Sequence, residues 1–217
     1  MSFKEKNYLV IKKAIPKDMA EFLFNYFLIK KQVLLTFRDL RFISEKDHTF
    51  GEMGDGQTGK NTFCLYGDVA GDTLLLRLHS LMEKTTGIKL QPNNSYMRIY
   101  VKGDELKRHT DRFSCEISTT LHLGGSKWPI YLEPSGKRGK RGVGINLEPG
   151  DMLIYKGCKL EHWRNKLKGK EYAQVFLHYN RVSSKTDLYD SRPHVGLPSS
   201  FARKAPAPGD KDEDRNI

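Results

Sequence analysis

Cysteine is scarce, acid is outnumbered and long apolar runs are missing from this chain of 217 residues. Only Cys64, Cys115 and Cys158 are present, and no two stand in a C-x-x-C spacing. An odd, sparse set excludes a disulfide framework and a zinc site built on thiolates, and it fits a reducing compartment. No apolar run approaches the roughly 18 residues that cross a bilayer. Tyr8, Leu9, Val10 and Ile11 are followed at once by Lys12 and Lys13, too short a run for a secretory signal. The sequence therefore predicts a soluble, cytoplasmic protein with no membrane association.

What is present is enough to build a core. Hydrophobic residues make up 38% and aromatics 11% of the chain, which excludes global disorder. The length suits one domain, expected over 1–202, with an N-terminal strand and helices in 1–87 and a barrel in 88–182. Residues 203–217 are Pro, Ala, Gly and charge, and are expected to be a disordered tail. The net charge is +11, and nine of those charges fall in two short stretches, +4 over 137–141 and +5 over 156–170. Such a concentration is either a solvated surface or an attractor for an anion: nucleic acid, an acidic protein or a small carboxylate.

Apolar spacing predicts helices after Pro16, with Met19, Phe22, Leu23, Tyr26 and Phe27 as its stripe, and over 72–86, with Leu75, Leu78, Leu81 and Met82 facing one way and Gly87 as a stop. Beyond residue 88, short runs of β-branched and aromatic residues alternate with Gly, Pro and Asp turns. Strands are expected at 8–11, 95–101, 113–123, 129–132, 143–147, 152–155, 160–164 and 172–179. Two helices followed by many short strands predict an antiparallel double-sheet barrel with the helices packed on one face.

One segment carries chemistry. In a strand, residues i and i+2 share a face, so His109 and Asp111 would project together while Thr110 points away. His162 follows 53 residues later, after the strand entry at Gly150 and Asp151, and can add a third ligand from a neighbouring strand. Two imidazoles and one carboxylate on one face of a metal leave the other face open, an arrangement suited to non-haem Fe(II) and oxygen. A bare H-x-D is also common by chance, and a strand histidine is often just a satisfied core residue.

The fuller pattern is Arg98-x-Tyr100-x-x-Gly103, His109-x-Asp111, Gly150-Asp151-x-x-x-Tyr155 and His162. It resembles the 2-oxoglutarate/Fe(II)-dependent oxygenases, and most of all their prolyl-4-hydroxylase-like branch, over about residues 95–179. The resemblance implies a jelly-roll (double-stranded β-helix, cupin-like) fold and an iron site at His109, Asp111 and His162. It also implies 2-oxoglutarate as co-substrate, O2 as oxidant and ascorbate as an accessory reductant. The implied reaction is hydroxylation of a C–H bond, first of a prolyl or other peptidyl side chain, coupled to decarboxylation of 2-oxoglutarate to succinate and CO2. Tyr100 matches a tyrosine that often binds the far carboxylate of the co-substrate. The chain departs from the family at the cation, because the positions nine and ten residues after His162 are Glu171 and Tyr172. Arg164, on the face of His162 if that strand continues, is the preferred substitute; Lys170 is the alternative.

Two other readings stay open: a nucleic-acid demethylase or base oxidase, which the basic stretches favour, and a jelly-roll module that binds without turnover. The expected partner is a peptide, protein or other anionic substrate; the oligomeric state is not read from the sequence. Residues 54–61, Gly-Asp-Gly-Gln-Thr-Gly-Lys-Asn, nearly match a phosphate-binding loop, but Asn61 replaces the hydroxyl that holds Mg²⁺ and no helical pattern follows. A glycine-rich loop or lid is expected there. Lys137 to Gly144 is expected to be a hairpin connection or an anionic-substrate rim. His79, His122 and His178 are expected to be hydrogen-bonded structural residues, and Cys115 a small packing residue.

Overall fold

The computed structural model describes residues 2–202; the expected disorder of 203–217 lies outside them. Among the described residues no helix is long and apolar enough to cross a membrane. The elements run α1 (Phe3–Lys6), β1 (Tyr8–Ile11), α2 (Lys17–Asp39), β2 (Glu52–Met53), β3 (Phe63–Tyr66), α3 (Val69–Thr86), β4 (Leu90–Val101) and β5 (Leu106–His109). They continue with β6 (Ile117–Gly125), β7 (Ile130–Leu132), β8 (Val143–Ile145), β9 (Met152–Lys156), β10 (His162–Arg164) and β11 (Glu171–Arg181). A seven-stranded sheet has the order β1-β9-β6-β11-β4-β3-β2, and a four-stranded sheet the order β5-β10-β7-β8. Every pairing is antiparallel. The double-sheet expectation is met, whereas no strand among the described residues belongs to both sheets, so hydrogen-bonded closure into a barrel is not seen.

The helices form where the apolar spacing allows, with local corrections. In α2 the buried residues are Ala20, Leu23, Phe27 and Leu34, a stripe at helical spacing; Phe22, expected in it, is 67% exposed. The second long helix starts earlier than predicted because Asp68 caps it, accepting a 2.9 Å bond from the Ala70 amide. It ends at Gly87, whose φ of +67° suits glycine. Both helices pack on the large sheet, joining one apolar cluster with Met97, Ile99, Leu121, Ile154, Val175 and Leu177.

The central strands of the large sheet are buried on both faces, which hid part of their alternation from sequence reading. On β11, Ala173, Val175, Leu177 and Tyr179 belong to the helix-side cluster, so Tyr172, Gln174, Phe176 and His178 project to the other side. That inner face is polar and aromatic, and it looks toward the small sheet. A second apolar cluster, Ile130, Leu132, Leu147, Leu153, Tyr155 and Leu160, ties the sheets together. Between the sheets lies a chamber lined by groups that ordinarily stay in water, and buried polar groups are the informative ones.

Candidate metal centre and co-substrate pocket

Strand register assembles the centre. The antiparallel pairing of β5 with β10 sets His109 directly opposite His162, and the two rings lie 4.3 Å apart. His109 ends its strand. Asp111 therefore sits in the following loop rather than in a continuing strand, fixed by a 2.9 Å bond from its amide to the Gly157 carbonyl. A Cβ at Gly157 would overlap the Asp111 carboxylate, the Ser118 hydroxyl and the Cys115 carbonyl, so the close approach needs glycine there.

The result is a set of three ligand atoms, one each from His109, Asp111 and His162, all within 4.8 Å of one another. Nδ1 of His109 is 2.7 Å from the Lys107 carbonyl, and Nδ1 of His162 is 3.0 Å from the Leu160 carbonyl. A carbonyl only accepts, so each Nδ1 carries the proton and each Nε2 is left as a lone-pair donor. The two Nε2 atoms stand 3.7 and 3.4 Å from Oδ1 of Asp111. Its other oxygen accepts a 2.5 Å bond from the Ser118 hydroxyl, which is itself 3.0 Å from Nδ1 of His178. Burial pushes the Asp111 carboxyl up, but His162 and His109 beside it outweigh burial and hold it well below the usual carboxylate range. His178, lowered by burial to about 4, is neutral near pH 7. It orients the centre through Ser118, in keeping with a hydrogen-bonded rather than a ligating role. Imidazoles with Nε2 turned inward and an ionised carboxylate are donors that a divalent metal takes.

A cavity of about 600 Å³ opens onto this centre. Its wall includes His109, Asp111, His162, Asn94, Tyr96, Arg98, Arg112, Phe176 and Asp190. Arg98 has no role assigned by the sequence pattern beyond its place in it. Its guanidinium pairs with Asp55 at 2.5 Å and with Gln57 at 2.8 Å. These partners belong to the glycine-rich 54–61 loop, so the loop is tied to the large sheet, and it leads into strand β3 rather than a helix.

Arg164 follows His162 in β10 with a register shift between them, and both are 1% exposed. Its Nη2 bonds Gln174 at 2.7 Å and the Tyr172 hydroxyl at 3.0 Å, and its Nη1 bonds the Trp128 carbonyl. The guanidinium lies over the rings of Trp128 and Tyr172. No acid pairs with it among the described residues, and its Nε is buried without a partner. Tyr100 reaches the same group through Gln174, whose amide is 3.3 Å from the Tyr100 hydroxyl. Nε2 of His122, stacked on Tyr172, is another buried polar atom without a partner. Lys170 does not come near: its side chain is 91% exposed and 4.0 Å from Glu171. Gln174 and Tyr172 were missed by sequence reasoning as partners of Arg164. The available signal was that Gln174 stands two residues beyond Tyr172 in a strand, on the same face.

Neither a protein-family model nor a curated protein matches the sequence. Solved structures match it by shape. A prolyl-4-hydroxylase from Pseudomonas putida is 16% identical with a TM-score of 0.58, over 82% of this chain and 95% of that one. HygX from Streptomyces hygroscopicus, solved with nickel, 2-oxoglutarate and hygromycin B, is 13% identical with a TM-score of 0.61, over 90% and 93%. A viral collagen prolyl hydroxylase from Paramecium Bursaria Chlorella virus-1 in complex with 2-oxoglutarate is 11% identical with a TM-score of 0.57, over 82% and 98%. At these identities the likeness is one of fold. The chain has the double-sheet fold of the 2-oxoglutarate/Fe(II) oxygenases, with the prolyl-4-hydroxylases among its structural neighbours.

Proposed function

We propose that this chain is an Fe(II)- and 2-oxoglutarate-dependent dioxygenase that hydroxylates a C–H bond, first of a prolyl or other peptidyl side chain. The carrying observation is the convergence of three oriented ligand atoms, from His109, Asp111 and His162, on one cavity. The donor set fits a divalent iron: two imidazoles with Nε2 free and one carboxylate, a composition that leaves further positions open. Iron bound there would use O2 to convert 2-oxoglutarate to succinate and CO2 and to place one oxygen in the substrate, with ascorbate as an accessory reductant.

The chain's own residues would do the rest. Arg164 would neutralise the far carboxylate of 2-oxoglutarate, with hydrogen bonds shared by Tyr100 and Gln174. Ser118 and His178 hold Asp111 so that one oxygen faces the ligand cluster. Trp128, Tyr172 and Leu167, all buried with Tyr100, exclude water around the anchor. The substrate would enter by the cavity side, past Arg112, Asn94 and Phe176. A second reading, nucleic-acid demethylation or base oxidation, is favoured by one observation: the exposed basic loop over 137–141.

Iron content and substrate-free succinate formation test the proposal together. Purified wild type should bind about one iron and slowly form succinate from 2-oxoglutarate. His109→Ala, Asp111→Ala and His162→Ala should each lose most of the iron while melting within a few degrees of wild type. Wild-type iron and turnover in all three variants would refute the site. Iron binding with no succinate formed would leave a binding module instead.

A further inference from the structure

The basic connection between β7 and β8 is held rigidly, and the way it is held leaves its charges unused. Glu133 accepts from the Ser135 and Lys137 amides at 3.0 and 2.8 Å and from the Ser135 hydroxyl at 2.6 Å. Glu161 accepts from the Gly139 amide at 2.8 Å and from Nε of Arg108 at 2.9 Å. Arg108 also donates to the Lys140 carbonyl at 2.6 Å and lies 4.0 Å over the Trp163 ring. Gly142 packs so closely on Trp163 and the Leu132 carbonyl that a Cβ would not fit. Both nearby acids are thus occupied by backbone amides, a serine hydroxyl and Arg108. Lys137, Arg138, Lys140 and Arg141 are all exposed, and none has an acidic partner among the described residues. Some cations elsewhere on the surface do, as in Lys12–Asp151 at 2.6 Å and Arg181–Glu116 at 2.7 Å.

The array is joined to the candidate metal centre through the chain. Arg108, which pins the loop, immediately precedes His109, and Lys107 beside it is exposed as well. An unpaired array of cations creates a local field, and the loop that carries it, its backbone already held, pays little backbone ordering entropy when it meets an anionic chain. We propose that this strip docks an acidic peptide segment and so presents a neighbouring side chain of that peptide to the cavity. Only the last clause rests on the oxygenase reading. Single-stranded nucleic acid is the less suitable occupant because its sites offer free aromatic faces for stacking bases. Here Trp163 is flanked by Arg108 from β5 on one side and by Tyr131 from β7 on the other, stacked at 5.6 Å.

Fluorescence anisotropy on the full chain tests this, with two labelled probes of equal charge: a glutamate-rich peptide with one central proline, and oligothymidylate. The peptide should bind more tightly than the oligonucleotide, and more weakly as salt rises. Lys137→Glu, Arg138→Glu, Lys140→Glu and Arg141→Glu combined should weaken it at least tenfold with unchanged melting. A control combining Lys4→Glu, Lys13→Glu, Lys17→Glu and Lys84→Glu makes the same charge change at exposed positions elsewhere and should weaken it less than threefold. Equal weakening in both variants would reduce the effect to net charge and overturn the strip. Tighter oligonucleotide binding with the same dependence on the strip would overturn the peptide assignment. Peptide binding by a wild type that makes no succinate would sustain the strip while the oxygenase reading failed.

Discussion

A guanidinium sealed inside a protein with no carboxylate beside it is costly, because the neutral partners at Arg164 satisfy donors without cancelling charge. Arg98, the other buried arginine of the chamber, already has Asp55. The missing anion at Arg164 is the strongest reason to place a carboxylate ligand there. Along an extended strand, Arg164 stands about 7 Å from His162, a span a five-carbon diacid can bridge. Arg164→Ala should therefore raise the apparent KM for 2-oxoglutarate at least tenfold, roughly the loss of one charge-assisted hydrogen bond, with iron binding retained. Lys170→Ala, at the surface, should change it less than threefold. Steady-state succinate assays at varied 2-oxoglutarate decide the matter. An Arg98→Ala variant that carried the whole effect would move the anchor to Arg98.

Among the elements, the segment after β11 has the most to do with the cavity. It returns across the large sheet and contributes Asp190 and Ser191 to the cavity wall. Tyr189, Asp190 and Ser191 all have positive φ, 54°, 57° and 66°, which costs L-residues roughly 1–2 kcal/mol each. Something must hold them, and Arg192 does. Its side chain, fully buried, pairs with buried Asp72 of α3 at 2.8 Å and donates to the Leu197 carbonyl at 2.6 Å. Asp190 is fixed in turn by the Tyr66 hydroxyl at 2.6 Å and by Arg112. Arg192→Met should lower the unfolding free energy by about 3–5 kcal/mol, since it leaves Asp72 buried and uncompensated. Urea unfolding measures it; a loss under about 1 kcal/mol would mean that the Arg192–Asp72 pair does not hold the segment.

For the molecule as a whole, the polar chamber makes stability depend on pH. Burial lowers His178 from 6.5 to about 4 and lowers His122 as well, opposed in part by backbone hydrogen bonds. The unfolded chain thus binds protons at these positions that the folded chain refuses. Their contribution is complete above about pH 6.5 and is lost as pH falls toward about 4. Asp111, held low, acts only below the ordinary carboxylate range, so this window belongs to the histidines. In chelator, with no metal to confuse the reading, the urea midpoint should fall steadily from pH 7 to pH 5. His178→Gln should flatten that slope; an unchanged slope would refute the assignment.

The local and periodic features were legible in the sequence. Apolar spacing predicted two long helices, though Asp68 moved the start of one and Phe22 left the buried stripe of the other. Turn residues marked most of the strands, and β1 fell on its predicted bounds. The spacing of His109, Asp111 and His162 pointed to one cluster because strand periodicity and the family pattern agreed on it. What pairing decides could not be read in one dimension. The short strands β2, β3 and β5 are defined by neighbours rather than by propensity. β3 and β5 find partners far along the chain in β4 and β10, and a two- or four-residue run carries little periodic signal. Sequence reading preferred Arg164 as the anchor but left Lys170 open; the structure buries Arg164 and leaves Lys170, six residues on, in water. Composition fixes how much charge a chain carries. Only the packing of two sheets decides which charge is taken out of water, and so which one is left needing an anion.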